Sequence, residues 1–403
     1  MRELLFCVLA VCVTEAHAGV SATDMNTHLS ETFTNYDSRV RPLLSDQSQA
    51  VGVSVDLHLL GINNFDSSEQ KLETTAYLEI SWTDEVLQDN WENSDVSEVL
   101  IPQSDIWLPD LALQNGFETL TGLGNKFYNV RVKSTGVVTW RPYHVFESAC
   151  AVDVTYFPFD RTTCELKFVV WSNPKNLLMA TVGTGGLDMT GFSENSEWSI
   201  ELTEANNFET TTSSGVTFAI QMKRKPLFYL LNILIPVIML AVLNAFVFAL
   251  PASSGEKTGF AVTAFLALAV FLTIISAELP RTADKVSTFS AYLFLVTFLS
   301  ALISMITIIQ LRLFAREPEV PVPSSLQSLT KCIRRMRCRT CFAKSGGYVR
   351  GLTIEEVKRR LSDDVTWEDA VGALDFVFFW VFLFLIAGIT SGCCVIAVKG
   401  ALA

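Results

Sequence analysis

A chain of 403 residues that is 50% hydrophobic, 18% charged and carries a formal net charge of −12 is more apolar than an ordinary soluble protein and has the wrong sign for binding nucleic acid. Its four histidines, one of them at position 17, and its scattered acids make no catalytic or metal-ligating pattern. Neither an enzyme nor a cofactor is expected.

Residues 1–18 read as a signal peptide: Arg2, an apolar run from Leu4 to Val13, then the small-x-small end Ala16-His17-Ala18. Residues 19–225 form an exported domain. A short helix is expected over Met25–Tyr36. From Val51 the pattern turns to period two, with Val51, Val53, Val55, Leu57 and Leu59 on one face of a strand. The turn Asn63–Ser68 follows. In the next strand Leu72, Thr74, Ala76, Leu78, Ile80 and Trp82 share one face, and Tyr77 is a lone aromatic on the polar one. Short strands and turns continue to Met222, among them Trp107-Leu108-Pro109-Asp110 and Thr139-Trp140. Many short strands without helical runs predict an antiparallel β-sandwich.

Cys150 and Cys164 are the only cysteines between Cys12 and Cys332. In an exported domain they read as a disulfide. Closing that loop is worth about 3 kcal/mol in the chain-entropy picture. The loop carries Phe157-Pro158-Phe159-Asp160, a tight turn.

Four apolar stretches follow, 227–250, 258–277, 289–311 and 370–398, each near the ~20 residues a helix needs to cross a bilayer. Residues 226–314 hold the first three, 315–369 form a linker, and 370–403 hold the fourth with the C-terminus. Basic side chains outnumber acidic ones in the linker, which places it in the cytoplasm and both termini outside. Residues 324–337 suit an amphipathic helix on the membrane surface, and Thr353–Asp369 a charged helix leading into the fourth span. Cys332, Cys338 and Cys341 read as reduced or palmitoylated thiols. In the second span Gly259, Thr263, Leu266, Val270, Thr273 and Ala277 share one helix face, opposite Phe260, Phe265, Leu268, Phe271, Leu272 and Ile275. The small stripe is either a water-facing wall or a helix-packing surface.

The pattern Cys-x6-Phe-Pro-Phe-Asp-x3-Cys resembles the signature of the Cys-loop, or pentameric, ligand-gated ion channels. Trp107-x-Pro-Asp, Thr139-Trp140 and the entry Leu250-Pro251-Ala252-Ser253-Ser254-Gly255-Glu256-Lys257 resemble further landmarks of that family, in order along the chain. The resemblance implies an extracellular β-sandwich followed by a four-helix transmembrane bundle, assembled as a pentamer. Its partners would be identical or related subunits, a homopentamer in the simplest case, together with membrane lipids, monovalent cations and a small cationic amine.

The resemblance also implies site residues. Trp171, seven residues after Cys164, falls on the family's central tryptophan; core packing is the other reading of it. Tyr77, five before Trp82, falls on the aromatic of the complementary face. Phe208 is the one aromatic in the hairpin between Trp198 and Phe218. Gln114 and Ser213 stand where tyrosines usually do, so the aromatic box for a cation is depleted. Glu256, followed by the stripe 259–277, would make a carboxylate ring selecting cations, with Leu266 and Val270 as apolar rings. An arginine matching Arg224 meets acids at the base of the domain in relatives. Asp160 is the first candidate partner here and Asp66 the second. An accessory subunit that does not bind acetylcholine is the alternative reading.

Overall fold

The computed structural model describes residues 21–91, 95–117, 120, 122–278, 286–317, 319–344 and 365–402. The expected signal peptide, residues 279–285 between the second and third apolar stretches and the first part of the expected charged helix at 353–369 lie outside the described residues, as do the side chains of Cys338 and Cys341.

Helix α1 spans Ala22–Thr32, earlier than the sequence suggests. Ser21 explains the start: its hydroxyl accepts from the Asp24 N–H at 3.2 Å, an N-cap that satisfies one of the orphan donors. Asn35 then takes a left-handed φ of 61° just past the helix end.

Among the described residues eleven strands follow: β1 Val51–Asp66, β2 Lys71–Thr83, β3 Glu98–Pro102, β4 Leu111–Leu113, β5 Asn129–Lys133, β6 Val137–Trp140, β7 Tyr143–Ala149, β8 Arg161–Val170, β9 Leu178–Asp188, β10 Trp198–Glu209 and β11 Ser214–Arg224. A one-turn helix, α2 Glu85–Asp89, lies between β2 and β3. One sheet runs β3-β5-β6-β2-β1-β9, with β7 also on β2; the other runs β10-β11-β8-β4. The two sheets close over a core built from the alternating positions. Val51, Val53, Val55, Leu57 and Leu59 of β1 are buried, as are Leu72, Ala76, Leu78, Ile80 and Trp82 of β2. Phe146 of β7 meets Phe168 of β8 edge-on at 5.1 Å across the sandwich, and Phe168 meets Phe218 at 6.1 Å. One pairing is not antiparallel: β9 runs parallel to β1. Cys150 follows β7 in one sheet and Cys164 lies in β8 of the other. Their disulfide, with Cα atoms 5.1 Å apart, ties the sheets together.

Among the described residues four helices are long and apolar enough to cross a membrane: α3 Leu227–Ala249, α4 Lys257–Glu278, α5 Thr288–Phe314 and the last, Trp367–Leu402. Between α5 and the last lies α6, Ser324–Lys344, so the last is α7. In α3 a wide π turn at Leu230–Leu234 comes just before Pro236. Proline has no N–H to give the preceding turn, and a π turn absorbs that interruption. Gly255 turns the chain into α4 at φ 73°, where a side chain would be strained. Ser287 caps α5 by accepting from the Phe289 N–H at 3.2 Å.

The two halves share a buried apolar cluster. Val154 and Phe157 of the 150–164 loop belong to the same buried cluster as the bundle residues Phe289 and Tyr292. Phe157 lies 5.0 Å from Tyr229 of α3 and 5.6 Å from Phe289 of α5, ring to ring. The Thr288 N–H donates to the Thr155 carbonyl at 3.0 Å. Tyr156 sits against Gly400 near the end of α7, where a Cβ would have no room. β11 ends at Arg224 and α3 starts at Leu227, so only Lys225 and Pro226 join sandwich to bundle.

Candidate functional site

Trp171 is 59% exposed, so it is not a core residue. It follows β8, and Asp110 of the Trp-x-Pro-Asp turn holds it in place. The Trp171 N–H donates to the Asp110 carbonyl at 3.0 Å. The Asp110 carboxylate accepts from the Ser172 N–H at 2.5 Å and the Asn173 amide at 2.9 Å. Gln114 is exposed nearby, its N–H on the Lys167 carbonyl at 2.7 Å. Phe208 of β10 lies over Gly215, its register partner in β11, where a Cβ would collide with the ring. That ring therefore rests on its own hairpin. The Ser213 backbone closes the hairpin tip through Thr210, donating to the hydroxyl at 2.9 Å and accepting from the N–H at 2.8 Å. Tyr77 is on β2, in the other sheet. Trp171, directly after β8, and Tyr77 of β2 thus belong to different sides of the sandwich within one chain.

The stripe on α4 lies on the helix's exposed side, which also carries Val262, Ile274 and Ser276. Gly259, Thr263, Leu266, Val270, Thr273 and Ala277 are all exposed, while Ala261, Ala264, Leu268 and Ile275 face the bundle core. The threonine hydroxyls turn back to the helix, Thr263 to the Gly259 carbonyl at 2.8 Å and Thr273 to that of Val270 at 2.7 Å. At the entry two adjacent charges go opposite ways. Glu256 is exposed. Lys257 is wholly buried, its ammonium paired with Asp375 of α7, 3.3 Å from the Gln310 side-chain oxygen of α5 and 5.7 Å from the Phe248 ring centre. Sequence reasoning treated Lys257 only as part of the entry motif. The signal that could have found the pair is Asp375 itself, an acid inside an apolar span that needs an interior partner.

At the junction Arg224 is 4% exposed and Asp160 2%. Nε donates to Asp160 Oδ1 at 2.8 Å and Nη2 to Oδ2 at 3.1 Å, a two-pronged ion pair. Nη2 also donates to Ser67 Oγ at 3.0 Å and Nη1 to the Tyr229 hydroxyl at 3.1 Å. The guanidinium lies 4.3 Å from the Trp198 ring centre, 5.1 Å from that of Phe157 and 5.2 Å from that of Tyr229. Phe157-Pro158-Phe159-Asp160 thus delivers one ring and one carboxylate to the same arginine, across a cis Phe157–Pro158 bond. Asp66 is not the second partner. Its carboxylate is used by its own turn, accepting from the Ser68 N–H at 2.8 Å and the Glu69 N–H at 3.0 Å. Those bonds, the one from Glu69 foremost, hold its pKa below the ordinary carboxylate value. Ser67, one residue on, points inward instead. Among the described residues no group of three or more His, Cys, Asp or Glu is placed to hold a metal ion.

Two family models match this chain: the neurotransmitter-gated ion-channel ligand binding domain over residues 25–226 and the neurotransmitter-gated ion-channel transmembrane region over residues 233–344. The chain belongs to the neurotransmitter-gated ion-channel family. This is a family of ligand-gated channels, not of enzymes. Among its curated relatives are acetylcholine receptor subunit beta-type lev-1 of Caenorhabditis elegans, 31% identical over 294 residues, covering 71% of this chain and 56% of the relative. Acetylcholine receptor subunit delta of Gallus gallus is 33% identical over 314 residues, 72% of this chain and 60% of the relative. Neuronal acetylcholine receptor subunit alpha-6 of Mus musculus is 30% identical over 295 residues, 71% and 59% respectively. The chain thus spans less than two thirds of the length of these relatives. Within the family's frame the three places described above are the ligand-binding domain's outer faces, the α4 wall and the boundary between its two domains.

Proposed function

We propose that this chain is a subunit of a cation-selective pentameric channel, opened by a small extracellular ligand bound between subunits. Sandwich and C-terminus would lie outside the cell membrane and the basic linker inside. The observation that carries the reading is the division at the α4 entry, where Glu256 is exposed at the foot of the small-residue stripe while Lys257 is withdrawn into the bundle. Five such chains around an axis would present five carboxylates at one mouth without a competing ring of ammonium groups. A carboxylate ring favours cations. Replacing Glu256 with alanine is expected to lower the cation-to-anion permeability ratio several-fold, read as a shift in reversal potential on salt dilution. An unchanged reversal potential would sink the selectivity assignment.

For the ligand, Trp171 of one subunit would face Tyr77 of the next, with Phe208, Gln114 and Ser213 at the rim, and a cationic amine would sit on the tryptophan face. A desolvated cation–π contact contributes about 2 kcal/mol. Trp171→Ala should therefore weaken binding of acetylcholine, used as a quaternary-ammonium probe, by roughly thirtyfold. Equal affinity in the variant would remove Trp171 from the site. Phe208 held on Gly215, with Gln114 and Ser213 in place of aromatic residues, favours a second reading, an accessory subunit that binds no acetylcholine. Expression of the chain alone separates the two: ligand-gated current from it excludes the accessory reading.

A further inference from the structure

The polar face of β2 carries a row of side chains that the ligand reading leaves unexplained. His58 of β1 and Tyr77 of β2 are register partners, and their rings stack 4.4 Å apart at an interplanar angle of 6°. His58 is also the register partner of Asp188 in β9, and its Nδ1 lies 2.9 Å from Asp188 Oδ2. The other oxygen of Asp188 accepts from the Thr190 N–H at 3.0 Å and hydroxyl at 2.6 Å. These bonds hold the Asp188 carboxyl below its ordinary pKa, Thr190 first and His58 after it. His58 Nε2 is 3.9 Å from Glu79 of β2, and Glu79 is tied to Arg141 at 2.6 Å. On β1 itself, Asp56 accepts from the Gly186 N–H at 2.5 Å. On the far side of Tyr77, its partner in β7 is Tyr143, which is exposed. The row Tyr143, Tyr77, His58, Asp188 thus crosses four neighbouring strands.

The stack has a consequence for cation recognition. One face of Tyr77 is covered by an imidazole, so a ligand from a neighbouring subunit meets only the opposite face or the edge. A phenol ring attracts a cation through its faces, and the attraction depends on the charge already there. We propose that His58 is a specificity-determining residue of the interfacial site. Neutral, it backs Tyr77 as an aromatic plate and leaves the ring's negative face to a cationic amine. Protonated, it is itself the cation on that ring, and it opposes a second one. Asp188 fixes the imidazole in the stack in either state. The proposal rests on the interfacial ligand site put forward above.

The test is equilibrium binding of acetylcholine to the assembled full chain at pH about 8.5 and about 5.5, an interval within which imidazole is the side chain that changes charge. The probe's charge is fixed, so its own titration does not enter. Acidification is expected to weaken wild-type binding by about tenfold. In His58→Gln, which keeps an amide to bond Asp188 but cannot gain a proton, the ratio of the two affinities should fall to about one. His58→Phe, which keeps a stacked ring without charge, should lose the ratio as well, so the outcome does not hang on one variant folding. Binding that depends on Trp171 and Tyr77 but keeps its pH ratio in both variants overturns the role of His58 and leaves the interfacial site standing. Absence of acetylcholine binding at both pH values, unaffected by Trp171→Ala, overturns the cationic-ligand site and this proposal with it.

Discussion

Arg224→Gln and Asp160→Asn are each expected to cost about 3–5 kcal/mol, expressed as failed assembly or failed gating rather than as weaker ligand binding. Removing either partner leaves the other charge in a place without water. Arg224 is the more constrained of the two. Its donors reach Asp160, Ser67 and Tyr229, and three aromatic rings surround the guanidinium. Lysine would keep the charge but lose the fork and the flat stacking surface, so Arg224→Lys should be impaired as well. The decisive measurement is a double-mutant cycle on gating at matched surface expression, including the swap Asp160→Arg with Arg224→Asp. Purely additive effects would mean that the two residues do not act together.

Lys257→Met should be nearly as damaging, for a related reason in a different medium. It would leave Asp375 inside the bundle with Gln310 as its polar neighbour. An uncompensated buried charge again costs about 3–5 kcal/mol. The double variant Lys257→Met with Asp375→Leu removes both desolvation penalties and should restore most surface assembly. The channels it forms should keep the wild-type reversal potential, because the ammonium is turned away from the face that carries Glu256. Surface biotinylation gives the first quantity and salt-dilution potentials the second. A double variant no better than Lys257→Met would show that the pair is not the source of the loss.

Most of the architecture was legible in the sequence because it depends on period. The alternations of β1 and β2 put the same residues inside that they place on one face, and the stripe on α4 emerged position by position. The Cys150–Cys164 bond was legible because no other cysteine lies between Cys12 and Cys332. What escaped depended on contacts distant in sequence or on register. Lys257 and Asp375 are 118 residues apart, and nothing local marks either for the other. Asp66 and Ser67 differ by one position, yet a carboxylate committed to its own turn leaves the inward position to the hydroxyl. The pairing of His58 with Tyr77 could not be counted across the hairpin. The β1–β2 ladder shifts register between Leu59 and Gly61 and again between Ile62 and Asn64, and each shift defeats a count from the turn. The exposure of Trp171 and the folding of Phe208 onto Gly215 both required the three-dimensional geometry.

The passage from β11 to α3 restricts how the two domains can move against each other. Pro226 has a fixed φ, and Lys225 is held at both ends, its N–H on the Glu197 carbonyl at 2.7 Å and its ammonium on the Asn195 carbonyl at 2.8 Å. Peptide planes do not twist, so the joint contains fewer soft torsions than two rigid bodies need to reorient freely. A rotation of the sandwich about its long axis has no slack here in which to dissipate. A tilt of α3 would take it up within the helix's first three turns, where the π turn at Leu230–Leu234 and Pro236 already break its stiffness. The joint would thus act as a crankshaft rather than a tether, with the bend inside the helix and not at its end.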